Sequence, residues 1–305
     1  MNNSLGSRIL SRLKEYAYKF KYSQAVKKIL STAPVNAGAM KFILLSMVHQ
    51  RDVLSYLVAV KSFVRFANPG RIVVVCDPSM TAVDREILKK HVPQIELRSA
   101  EEFTHPRIPR GGCWERLYAI SEYVVDNYVV QLDADTISIH LLDEVVDAIK
   151  QNDGFVLGEI PNQKLMTLAQ TSTSAWAHPS QSNHIQAAVE RSIKEVGLPS
   201  NNLYVRGCAG FTGFPVNQDM RQLLIEFSTC MQSKFGSRWA EWGTEQITSN
   251  YLVANARNTR VLPFPKYATP NKTNNLSVFV HYIGLLRFKS SRYARDTKKT
   301  IMEIP

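Results

Sequence analysis

Several common chemical signatures are missing from this chain of 305 residues. Its four cysteines (Cys76, Cys113, Cys208, Cys230) contain no Cys-x-x-Cys spacing, so neither a zinc knuckle nor a disulfide framework is expected. Neither Gly-x-Gly-x-x-Gly nor the Gly-x-x-x-x-Gly-Lys phosphate loop occurs, which removes support for a Rossmann dinucleotide site or a P-loop. The first 40 residues hold no signal-peptide pattern. The longest apolar candidate, residues 42–48, is far too short to cross a bilayer. There is no internal repeat, and between Asp219 and Asp296 there is no aspartate. The expectation from these absences is a reduced, cytoplasmic protein.

What is present begins with charge. The net charge is +11, with 37 basic and 26 acidic residues. Residues 1–31 carry seven bases against Glu15, and residues 287–299 carry six against Asp296. The remainder holds 24 of each sign, so the body is neutral and both ends are basic. A nucleic-acid enzyme more often spreads positive charge over its body. Basic ends on a neutral body point instead to an anionic surface. Leu5, Ile9, Leu13, Tyr16 and Phe20 recur at spacings of three and four. They form one face of an amphipathic helix, readable either as membrane-surface or as packed on the body.

Hydrophobic residues make up 45% of the chain, enough for a sizeable core. Residues 33–38 read as a linker, which divides the chain into a basic arm and linker (1–36), a body (37–290) and a basic tail (291–305). Within the body, strand patterns at 42–48, 72–76, 95–97 and 128–132 alternate with helical patterns at 52–66, 81–91 and 114–125. That alternation predicts an α/β fold with a mostly parallel sheet. The polar stretch 161–184 reads as a long loop region. Gly207, Gly210 and Gly213 fall in a β-like stretch, where they mark either close approach of a ligand or a bent strand.

The most informative junction is Tyr128-Val129-Val130-Gln131-Leu132 followed by Asp133-Ala134-Asp135. Two carboxylates one residue apart at the C-terminal end of a buried strand sit where open α/β sheets bind ligands. They suit a divalent cation with oxygen ligands, and the cation suits a diphosphate. Other features fall into order around this pair. Arg116 lies on the preceding helix, and Asp77 ends the second strand. Glu241 and Glu245 lie among Trp239, Trp242 and Gln246, and His281 ends an apolar strand. Asp77 is readable as a nucleoside contact or as a helix cap, and Arg116 as a ligand contact or a surface residue.

Taken in this order, the motifs resemble GT-A fold glycosyltransferases, most closely the family 8 pattern of galactosyltransferases and glycogenin. Arg116-Leu117 and the Asp133-Ala134-Asp135 strand are similar to that family's arginine helix and Asp-x-Asp strand. Glu245-Gln246-Ile247-Thr248-Ser249-Asn250 resembles its Asp-Gln-Asp-x-x-Asn segment, and His281-Tyr282-Ile283-Gly284 its His-aromatic-x-Gly segment. The resemblance covers residues 41–290 and implies a Rossmann-like mixed sheet flanked by helices. It implies a Mn²⁺ or Mg²⁺ ion on Asp133, Asp135 and His281, and a nucleotide-sugar donor, by family default UDP-linked. It implies donor contacts from Ser46, His49, Asp77, Arg116 and Asp133. Leu285-Leu286-Arg287-Phe288-Lys289 stands where the family has Lys-Pro-Trp, leaving Arg287 or Lys289 as the phosphate contact. Gln246 stands near the anomeric carbon in retaining members; an inverting reaction needs a general base, for which Glu241 and Glu245 are candidates. The acceptor so implied is a glycan or similar; the two basic ends point to a lipid-linked acceptor reached from the inner membrane face, and the neutral body to no nucleic-acid partner. The alternatives are a haloacid dehalogenase-like phosphatase, using Asp133-Ala134-Asp135-Thr136 as nucleophile and acid/base, or a non-catalytic basic adaptor on membranes.

Overall fold

The computed structural model describes residues 4–178 and 183–304, leaving out the side chains of 4–6, 8, 9 and 285. Its strands are β1 (Met40–Val48), β2 (Pro69–Cys76), β3 (Ile95–Ser99), β4 (Tyr128–Leu132), β5 (Thr136–Ser138), β6 (Phe155–Gly158), β7 (Met166–Thr167), β8 (Leu203–Tyr204), β9 (Gly207–Phe214), β10 (Arg260–Val261), β11 (Tyr267–Ala268) and β12 (Phe279–His281). Its helices are α1 (Ser4–Val26), α2 (Val53–Val64), α3 (Ala82–His91), α4 (Trp114–Tyr123), α5 (Asp143–Gln151), α6 (Leu168–Ala177), α7 (Ile185–Ser192), α8 (Met220–Phe235), α9 (Thr244–Ala254) and α10 (Arg292–Glu303).

The main sheet has seven strands in the order β10-β6-β9-β4-β1-β2-β3. Strands β4, β1, β2 and β3 run parallel, and β9 is antiparallel to both β4 and β6. Strands β1, β2 and β4 carry nearly continuous apolar runs because both faces are covered, while the edge strand β3 alternates apolar and polar residues and is half-buried. Along β1, Phe42, Leu44 and Val48 enter one core with α2, while Ile43, Leu45 and Met47 enter the other with α4 and α9. A smaller sheet, β11-β12-β5, continues from the end of β4. The mixed sheet with helices on both faces is the architecture expected from the sequence.

One stretch folds differently from its sequence reading. Within the polar 161–184 stretch, Leu168–Ala177 is a helix, and residues 179–182 lie outside the described ones. Thr167 and Gln170 form a capping box, and Leu168, Thr171 and Ser172 are buried, so reciprocal capping and one buried edge suffice for a helix in a polar run. At the N-terminus the helix forms, but Leu13, Tyr16 and Phe20 are 62%, 79% and 63% exposed. The packed face runs instead through Tyr22, Val26 and, just beyond the helix, Ile29. Leu5 and Ile9, assigned to the same apolar stripe, have side chains outside the described residues.

The basic C-terminal segment is also helical. α10 buries Tyr293, Thr297, Thr300 and Ile301 and packs against α1 and α2. Tyr293 stacks on Tyr22 with ring centroids 4.0 Å apart and on Tyr282 at 4.2 Å. That three-ring stack joins α1 and α10 to the residue following His281.

Candidate metal centre

The parallel strands β4, β1 and β2 end on one edge of the sheet, at Asp133, His49 and Asp77. The Asp133 amide donates to the Gly210 carbonyl at 2.8 Å, which fastens the turn after β4 to β9. The chain then enters β5, which pairs with β12 so that His281 stands opposite Thr136. The Tyr282 amide donates to the Asp135 carbonyl at 2.8 Å. Strand pairing thus delivers two carboxylates and an imidazole to one point from segments 146 residues apart.

One ligand atom each from Asp133, Asp135 and His281 lie within 4.8 Å of one another. His281 Nε2 is 3.0 Å from Asp135 Oδ1 and 3.5 Å from Asp133 Oδ2. Two carboxylates and an imidazole fit a divalent first-row cation, and the imidazole favours manganese somewhat over magnesium. The other imidazole nitrogen, Nδ1, lies 3.2 Å from Cys208 Sγ. That contact fixes the ring's orientation, as partners of ligating histidines do. Gly210 is required by space: a Cβ there would collide with His281 and Asp133. The glycine therefore admits protein side chains, where the sequence left a ligand or a bend open.

The centre is built to hold positive charge. Arg116, on α4 and buried, contacts Asp133 and donates to Glu245 Oε1 at 3.1 Å. Arg287 Nη2 donates to Asp135 Oδ2 at 2.5 Å, and Nη1 to Asp52 Oδ1 at 3.2 Å. Burial would raise the Asp135 pKa, but His281 and Arg287 outweigh it and hold the carboxyl down at about 2. Burial would lower that of His281, but Cys208 and Asp135 outweigh it and raise it. Glu245 moves upward because burial exceeds the pull of Arg116. A buried charge needs such partners, and removing one leaves the others costly.

The remaining sequence-derived positions divide into three groups. His49 and Asp77 meet at the sheet edge, with His49 Nδ1 3.1 Å from Asp77 Oδ2. Asp77 also accepts from the Ser79 amide at 2.9 Å, so it closes a turn, while Thr81 caps α3. Gln246 is half-buried in the first turn of α9, beside Glu245. Ser46 lies inside the sheet: it is fully buried and donates to the Leu132 carbonyl at 2.7 Å, so its hydroxyl braces β4. Glu241 is exposed and pairs with Arg238 at 2.8 Å, its carboxylate facing a separate cavity. Lys289 is exposed and pairs with Glu15 of α1 at 3.2 Å. The sequence reading omitted Asp52 and Cys208. Asp52 carries no local motif and meets Arg287 only through the fold.

No protein-family model and no curated protein matches the chain. Solved structures do. The chain is similar to the bifunctional glycosyltransferase WbbM in its apo form, at 16% identity and a TM-score of 0.53. That match covers 89% of this chain and 51% of WbbM, so the chain spans about half the length of that protein. It is also similar to the galactosyltransferase LgtC in complex with donor and acceptor sugar analogues, at 13% identity and a TM-score of 0.52, covering 86% of this chain and 96% of LgtC. An active-site mutant of LgtC matches at 11% identity and a TM-score of 0.52, with the same shares of each chain covered. The chain therefore has the mixed-sheet GT-A fold of these glycosyltransferases.

Proposed function

We propose that this chain is a metal-dependent glycosyltransferase that moves a sugar from a nucleotide-sugar to a glycan or glycolipid acceptor. The observation that carries the reading is the meeting of Asp133, Asp135 and His281 at the C-terminal edge of the parallel strands. Open α/β sheets bind nucleotides at that edge, and the fold agrees with that of known transferases. A haloacid dehalogenase-like phosphatase needs further aspartates downstream to hold magnesium, and the chain has none between Asp219 and Asp296.

In this reading Asp133, Asp135 and His281 hold the divalent ion. When bound, the ion neutralises the donor diphosphate and stabilises charge on the departing nucleotide. Arg116 positions Asp133 and Glu245 at once. Arg287, which contacts the ligand carboxylate of Asp135, is the basic group beside the diphosphate position, whereas Lys289 is exposed and pairs with Glu15 of α1. His49 and Asp77 face the nucleoside, for which UDP is the first candidate. Gln246 lies toward the transferred sugar, and the resemblance implies retention. For an inverting reaction Glu245, whose pKa burial raises, is better placed than Glu241. Calorimetry with UDP, GDP and dTDP, with and without Mn²⁺, tests the reading. Binding should require metal and vanish in Asp135→Ala. Metal-independent affinity, or none for any of the three, would refute it.

The membrane-facing part of the reading rests on α1. Among the described residues no helix is long and apolar enough to cross a membrane. Yet α1 exposes Leu10, Leu13, Tyr16 and Phe20 beside exposed Arg12, Lys14, Lys19 and Lys21. An apolar strip between bases is the makeup of an interfacial helix. Lys27, Lys28, Arg295, Lys298 and Lys299 extend the basic surface. Sedimentation with phosphatidylglycerol vesicles should retain the wild type at low salt and lose Leu13→Ser/Phe20→Ser. Equal retention of that variant would remove α1 from the account.

A further inference from the structure

The chain has four tryptophans, and they fall into two pairs. Trp114 and Trp239 are 2% and 0% exposed, packed edge to face in the core. Trp176 and Trp242 are 63% and 76% exposed. Tryptophan, with a large apolar ring and a polar N–H, is enriched at interfaces.

Each exposed ring contacts a residue that lines one cavity. It has a volume of about 450 Å³ and is lined by Asn183, His184, Ala188, Arg191, Arg238 and Glu241. The Arg191 guanidinium lies over the Trp176 ring, 5.4 Å from its centroid. The His184 ring meets Trp242 nearly perpendicularly, with centroids 6.1 Å apart. Two lining residues therefore each contact one exposed tryptophan. Arg238 donates to Glu241 at 2.8 Å and to the Asn183 carbonyl at 3.0 Å, giving the wall a fixed array of donors and acceptors.

This chemistry selects its ligand. Aromatic faces beside alternating hydrogen-bond donors and acceptors complement a sugar ring, which has apolar C–H faces and a hydroxyl rim. Glu241 neutralises Arg238 and the Arg191 guanidinium lies over Trp176, so both cations are already engaged rather than offered to a phosphate, and the polar lining opposes an acyl chain. The cavity is also tied to the centre. Gly243, which opens α9, packs so closely on His184 that a Cβ would press on the imidazole. Two residues further on, Glu245 contacts Arg116.

We propose that the cavity lined by His184, Arg191, Arg238 and Glu241, with Trp176 and Trp242 beside it, binds a neutral oligosaccharide, the distal part of the acceptor, and so selects acceptors longer than one sugar. Its role as an acceptor site rests on the transferase reading; the binding of a glycan does not. The test uses the full chain, Trp242→Ala and Trp176→Ala against an immobilised panel of neutral mono- to hexasaccharides, with UDP and Mn²⁺ calorimetry alongside. Wild type should retain oligosaccharides over monosaccharides, and Trp242→Ala should lose at least about tenfold in affinity, or 1.4 kcal/mol, with nucleotide binding unchanged. Retention of no neutral oligosaccharide by the wild type, or equal retention by both variants, would overturn the proposal. Glycan binding without nucleotide binding would uphold the cavity and remove the transferase reading. Nucleotide binding without glycan binding would do the reverse.

Discussion

Replacing Gly210 with alanine should damage the metal centre before it damages the fold. The added Cβ would collide with the His281 ring and with the Asp133 carboxylate. The imidazole has no room to withdraw, and the partly exposed carboxylate is tethered. The ring is 3% exposed and held between Cys208 Sγ at 3.2 Å and Asp135 Oδ1 at 3.0 Å. Asp133 is held by Arg116. Forcing a methyl into a filled site costs about 1–3 kcal/mol. With an unfolding entropy of about 2.1 cal/mol/K per residue, a chain of 305 residues should lose about 2–5 °C in Tm. Metal affinity should fall by more than that stability loss explains, because two of three ligands move. Gly197→Ala is the control. Its φ of +78° makes alanine strained, yet its Cβ would meet nothing within 4 Å. It should lower Tm and leave Mn²⁺ binding alone. Melting curves and Mn²⁺ calorimetry on both variants decide the matter. Wild-type Mn²⁺ affinity in Gly210→Ala would refute the placement of the ligands.

Three further outcomes follow from specific contacts. Arg287→Gln removes a cation from Asp135, so Mn²⁺ affinity without nucleotide should rise while metal-dependent UDP affinity falls about 10- to 100-fold, the range for a lost charge-assisted hydrogen bond; calorimetry reads both, and parallel changes would contradict the assignment. Tyr293→Ala opens the stack between Tyr22 and Tyr282 and should cost about 3–5 kcal/mol in urea unfolding; a loss below about 1 kcal/mol would show that α1 and α10 are not held this way. Lys61, buried, donates to the Ala33 carbonyl at 2.5 Å and Thr32 Oγ1 at 2.7 Å, and burial lowers its pKa from 10.5 to about 8. The unfolded chain then binds more protons than the folded one between those values, so this group's contribution to stability rises with pH from about 8. Buried tyrosines such as Tyr22, raised to about 12, act oppositely above about pH 10, so unfolding is compared at pH 7.5 and 9.5. Lys61→Met should flatten the slope, and an unchanged slope would refute the contribution.

What was legible in the sequence is what local pattern controls. The run from Tyr128 to Leu132 announces a buried strand, and its exit places Asp133 and Asp135 at the sheet edge. The helices after β1 and β2 follow from periodicity and turns. The capping box at Thr167 and Gln170 was readable, but the polar composition around it masked the helix. Pairings across the fold had no local signal: Arg287 meets Asp52 across 235 residues, and Cys208 meets His281 across 73. Ser46 and Lys289 stand at suggestive positions in the chain, but pleat direction turns the first into the sheet and α1 engages the second. The apolar stripe of α1 gave no information on which side the body lies. The stack of Tyr22, Tyr293 and Tyr282 decides it.

The central claim is a single divalent-metal site made by Asp133, Asp135 and His281. The most direct measurement is the electron paramagnetic resonance signal of free Mn²⁺ during titration with protein. Wild type should remove one equivalent of signal, and Asp135→Ala and His281→Ala should each remove almost none while keeping a wild-type circular dichroism spectrum. Undiminished Mn²⁺ signal with the wild type, or loss of signal that persists in both variants, would contradict the account.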